Sequence, residues 1–190
     1  VKSQLITTIA AVLVVGCVDP KKQQDAICWN NSKQIALALH MFANDHDGKL
    51  PWQVSEKDGG SMEYISPRSD KNALLDASGE PIFDENAWRH FLPLGPILGN
   101  NFSILICPTS DKKPKVKPTS SDEVSYWLLT DEKLNIDNAK YPRDAFFSVC
   151  PHHPDKSYIA STAHGGAMNV HWPEIRQRII KGRELKAEGK

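Results

Sequence analysis

A chain of 190 residues, with 23 Lys+Arg against 23 Asp+Glu and 40% hydrophobic residues, is sized for one compact domain with a short anchor or tail. Zero net charge argues against a nucleic-acid binder, which is usually basic, and a negative mean hydropathy excludes a multispan membrane protein. Thirteen prolines and eleven glycines imply many turns and argue against a helical bundle, while four cysteines are too few for a disulfide scaffold.

The chain opens with one Lys and a short apolar run, Leu5 to Val15, ending in Val14-Val15-Gly16-Cys17. The run is too short to span a bilayer comfortably and fits the apolar region of a secretory signal. Its end resembles the lipobox of bacterial lipoproteins. That resemblance implies cleavage after residue 16, acyl chains on Cys17 and a lipid-anchored protein facing the periplasm. Val18, where Asp would favour inner-membrane retention, points to the outer membrane. The alternative is a buried first helix, which Asp19-Pro20-Lys21-Lys22 argues against by breaking the run. Residues 17–25 then read as anchor and linker, 26–172 as the globular domain and 173–190 as a charged helical tail.

From Lys22 to Asn44 the spacing predicts a helix whose inward face is Ile27, Asn31, Ile35, Ala38, Leu39 and Phe42, with Leu37 and Met41 on the flank. Asp47-Gly48 and Pro51 stop it. A second short helix is expected over Asp84–Leu92, closed by Pro93. Strands are expected at Phe102–Cys107, Val124–Leu129, Ala145–Val149, Ser157–Ala160 and Met168–Trp172, separated by Gly, Pro, Asp and Asn turns. One helix followed by strands predicts an α+β fold, an N-terminal helix packed on a small antiparallel sheet with long loops.

The segment Cys28-Trp-Asn-Asn-Ser-Lys-Gln-Ile-Ala-Leu-Ala-Leu-His-Met-Phe-Ala-Asn-Asp-His-Asp-Gly-Lys-Leu-Pro51 resembles one found in type IV pilin-like and type II secretion pseudopilin-like proteins, with Ser32 for the usual Leu and Ala36 for the usual Gly. Ala87–Phe91, Ile104–Pro108, Val124–Trp127 and His164–Val170 resemble later blocks of that family, so the likeness runs from about Ala26 to Trp172. It implies a pilin-like globular domain with a structural or protein-interaction role. Its partners would be the membrane, through the lipid anchor, and pseudopilins or other secretion-system proteins. The family's apolar stem normally precedes this helix, and the lipoprotein signal stands in its place. His171-Trp172-Pro173 and a charged tail replace the family's closing hairpin. A fibre-forming role is therefore not expected. The resemblance also suggests a Cys28–Cys107 disulfide, since both residues recur in the family blocks. Three buried thiols are the equal alternative.

No nucleophile elbow, phosphate loop or zinc-protease motif is present, so neither catalysis nor a cofactor is expected. The alternative function is periplasmic metal binding through Cys150, His152 and His153, with His164 and His171 downstream, because thiolate and imidazole suit zinc or copper. The spacing fits no standard zinc module, and Pro151 and Pro154 suggest a solvated loop. Asp45-His-Asp47-Gly-Lys49 resembles the start of a calcium loop, but Lys49 would occupy a ligand position. Lys112, Lys113, Lys115 and Lys117 read as a solvated basic loop.

Overall fold

The computed structural model describes residues 19–66, 82–130, 146–153, 157–162 and 165–177. Helix α1 (Pro20–Asn44) opens the described chain. Pro20 sits in its first turn, where a missing N–H costs nothing, and the Asp19 carboxylate accepts from Lys21 N at 3.0 Å. Helix geometry therefore begins inside the stretch expected as a linker. At the other end Asp47 (φ 54°) and Gly48 (φ 75°) turn the chain left-handed, and Gly48 N closes onto Ala43 O at 2.8 Å.

The strands are β1 (Trp127–Leu128), β2 (Phe146–Cys150), β3 (Ser157–Thr162) and β4 (Ala167–His171), antiparallel in the order β1-β2-β3-β4. The fold is α+β, a helix laid on a four-stranded antiparallel sheet. Alternation decides which residues meet α1. Phe147, Cys150 and Ile159 join Ile35, Ala38, Leu39 and Phe42 in the main core. Their neighbours Val149, Ala160 and Val170 form a second cluster with Leu129 and Ile175. A register shift between Phe146 and Ser148 lets both Phe147 and Ser148 be buried. Residues 172–177 are helical.

Three expectations need correction. Ile27 is 42% exposed rather than inward, because the first turns of α1 lie beyond the edge of the apolar core; the face begins at Cys28. Phe102–Cys107 is not a strand. Phe102–Leu105 is a 3-10 turn whose cap Asn101 accepts from Ser103 N at 3.3 Å and Ser103 Oγ at 2.5 Å. Of Val124–Leu129, only Trp127–Leu128 pairs as strand. The short second helix, α2, spans Ala87–Phe91, within the expected range. Residues 1–18, with the expected signal and Cys17, lie outside the described residues. Among the described residues, no helix is long and apolar enough to cross a membrane.

Candidate metal centre

Four side chains from three separate stretches of chain converge under the N-terminal third of α1. Cys28 is the first buried residue of the helix. Cys107 follows the Phe102–Leu105 turn, where Asn31 Nδ2 on α1 donates to the Ile106 carbonyl at 3.2 Å and ties that segment to the helix. Cys150 is the last residue of β2, and His153 lies in the loop three positions on. All four are buried, and one ligand atom from each lies within 4.8 Å of every other.

The spacing suits a metal ion. Zinc bonds of about 2.3 Å to sulfur and 2.0–2.1 Å to nitrogen, arranged tetrahedrally, put ligand atoms roughly 3.5–3.8 Å apart. His153 Nε2 is 3.2 Å from Cys28 Sγ and 3.8 Å from Cys107 Sγ, on either side of that edge length. Three thiolates and one imidazole are the donor set of closed structural zinc sites, with no position left for substrate.

The same convergence shapes the ionisation of the side chains. Hydrogen bonds from Cys150 and Cys28 hold the Cys107 thiol far below its ordinary range, against the opposing effect of burial. Hydrogen bonding to Cys107 and Cys28, reinforced by desolvation, pushes the Cys150 thiol up. Burial alone would lower His153, but its hydrogen bonds to Cys107 and Cys28 and their negative charge outweigh that and raise it to about 10. Burial, followed by the charge of Cys28, also raises Tyr126. Two hydroxyls border the sulfurs: Tyr126 Oη is 3.3 Å from Cys28 Sγ, and Thr109 Oγ1 is 2.9 Å from Cys107 Sγ.

Cys28, Cys107 and Cys150 are buried free thiols, the arrangement given above as the equal alternative to a Cys28–Cys107 disulfide. Both cysteines do meet at the helix–sheet contact, but a third sulfur and an imidazole share the point with them. A bond of about 2.05 Å between two of the sulfurs would take them out of that four-way arrangement. Of the sequence-derived metal candidates, Cys150 and His153 enter the cluster. His152 does not: it is half-buried, and its carbonyl accepts from Thr109 Oγ1 at 2.5 Å. His171 is exposed at the end of β4, and His164 lies outside the described residues. Cys28 and Cys107 were missed as ligands. The local clue was Cys150-x-x-His153, a two-residue gap that lets one loop supply two ligands.

A second polar centre fixes the long loops. Ser61 Oγ lies 2.8 Å from His90 Nδ1, and His90 Nε2 lies 3.6 Å from Asp84 Oδ2. Asp84 also accepts from Ser66 N, Ser66 Oγ, Asn86 N and Thr130 Oγ1 at 2.7–3.0 Å. The Ser-His-Asp content resembles a hydrolytic triad, but Ser61 is 1% and His90 0% exposed. The trio pins the 61–66 and 84–90 segments together. In the basic loop, Lys112 Nζ donates to the carbonyls of Ser121 and Val124, and Lys115 pairs with Glu123 at 3.0 Å. Asp45 and Asp47 line an open cleft together with Lys49 and Lys57, whose charges disfavour a cation.

In comparisons with known proteins, the chain matches no family model, no curated protein and no solved structure.

Proposed function

We infer that this chain is a structural metal-binding domain in which Cys28, Cys107, Cys150 and His153 hold one zinc ion. The observation that carries the reading is the convergence of four buried ligand atoms, all within 4.8 Å of one another. Burying three thiols and an imidazole around one point has little merit as packing, whereas a metal satisfies all four at once. Four protein ligands leave no open coordination position, so the ion's task is to clamp helix α1, the Cys107 segment and the end of β2 together. The clamped domain would serve as an interaction module, in line with the pilin-like resemblance of Cys28–Pro51. It would be displayed from a membrane by acyl chains on Cys17, as the Val14-Val15-Gly16-Cys17 sequence suggests.

Metal analysis by mass spectrometry tests the centre. The purified full chain should carry one equivalent of zinc, and the Cys28→Ser, Cys107→Ser double variant almost none. A wild-type chain that binds no zinc even from a zinc buffer sinks the reading. Labelling with an alkyne fatty acid tests the anchor separately: wild type should be tagged and Cys17→Ser spared.

A further inference from the structure

A metal-bound imidazole offers one nitrogen to the ion; the other carries a proton and needs an acceptor, a carboxylate, a backbone carbonyl or water. His153 has such an acceptor. Its Nε2 faces Cys28 and Cys107, and its Nδ1 lies 2.9 Å from Asp25 Oδ1. Asp25 sits three positions before Cys28 on α1, so the two share one side of the helix. That side grips the imidazole twice, by sulfur at one nitrogen and by carboxylate at the other.

Among the described residues, His153 is the one side chain that Asp25 is seen to bond. From Pro20 to Ile27 no residue of α1 is buried, and the Asp25 side chain is itself 40% exposed. Its carboxylate reaches inward to the far nitrogen of the one histidine in the cluster. His152, one position away, is not among the converging residues. We propose that Asp25 is the positioning residue of the metal centre: it accepts the Nδ1–H of His153, fixes the tautomer and presents Nε2 to the ion. The inference rests on the metal reading above.

The test compares zinc affinity, by competition with a chromogenic chelator, in full-length wild type, Asp25→Ala, Asp25→Asn and Cys107→Ser. Asp25→Ala should bind zinc about 10–100-fold more weakly. Asp25→Asn keeps an acceptor oxygen and should stay within a few-fold of wild type. Cobalt substitution adds a readout that a merely structural role would not move. The visible spectrum of the Asp25→Ala cobalt form should change as the imidazole is lost or loosened, and that of Asp25→Asn should match wild type. If Asp25→Ala binds zinc within twofold of wild type with an unchanged cobalt spectrum, while Cys107→Ser fails to bind, the proposal for Asp25 is overturned and the metal centre stands. If wild type binds none, both fall.

Discussion

Cys28 Sγ lies 3.2 Å from His153 Nε2 although 125 positions separate the two residues in sequence. The pair joins the third turn of α1 to the loop after β2, where the other ties of the helix are polar, such as Asn31 Nδ2 to the Ile106 carbonyl. Trp29 Nε1 donates to Asn169 Oδ1 at 3.0 Å beside it, and after Cys28 the buried face runs through the polar Asn31 and Ser32 before the next large apolar side chain, Ile35. The first prediction concerns that hold. With free zinc at about a thousand times its dissociation constant, a bound ion adds roughly 4 kcal/mol to stability. In a chain of this size that corresponds to a fall of roughly 8–16 °C in Tm when a strong chelator removes the metal. Hydrogen exchange should speed up most over residues 22–30 and least over 35–43. An unchanged Tm and uniform exchange would count against a clamping metal.

The second prediction tests the phase of the helix. Leu39 is fully buried against the sheet, whereas Met41 is 45% exposed. Leu39→Ala should cost about 2–5 kcal/mol in denaturant melts. Met41→Ala and Ile27→Ala should each cost under about 1 kcal/mol, as at other half-exposed positions.

The sequence made the middle of α1 legible because Ile35 to Phe42 bury at three- and four-residue spacings. It misled at Ile27 because the polar first half of the helix carries no apolar stripe to set a phase. Phe102–Cys107 is rich in β-formers, yet a short apolar run broken only by the exposed Ser103 has too little period to tell strand from tight helix; the Asn101 cap decided for the 3-10 turn. The metal cluster was legible only in its local piece, Cys150-x-x-His153. Cys28 and Cys107 reach it through the packing of α1 and the Phe102–Leu105 turn on the sheet. No spacing rule encodes a contact made by tertiary packing. The same holds for Asp25, whose role depends on where a loop 128 positions away places an imidazole.

The third prediction concerns the loop that feeds the Ser61–His90 contact. A Cβ built on Gly60 would stand 2.1 Å from the Val54 carbonyl oxygen. That carbonyl accepts from both Ser61 N and Met62 N at 2.9 Å, so it cannot yield without breaking the turn. Gly60→Ala should therefore destabilise by at least about 3 kcal/mol. Gly99 (φ +59°) has nothing within 4 Å of such a Cβ. Gly99→Ala should cost only the left-handed strain of about 1–2 kcal/mol. Equal losses at the two positions in urea melts would contradict the close approach at Gly60.

The fourth prediction is an acid limit set by Asp84. Burial disfavours its carboxylate, but the approach of His90 and the hydrogen bonds from Ser66 outweigh that and hold it well below the usual carboxylate range. A group whose folded pKa is depressed adds stability that is fully present above its unfolded value, about 3.9. Below that value the unfolded chain binds the proton more readily than the folded one, so stability falls as pH drops toward the folded pKa. Wild type should lose stability steeply below about pH 4, and Asp84→Asn should show a flatter profile there. At neutral pH the Asn variant should be less stable by about 1–3 kcal/mol, because the amide cannot accept all the bonds from Ser66, Asn86 and Thr130. Urea melts of both proteins from pH 2.5 to pH 7 provide the measurement. Parallel profiles would mean that another carboxylate sets the acid limit and that Asp84 titrates alike in both states.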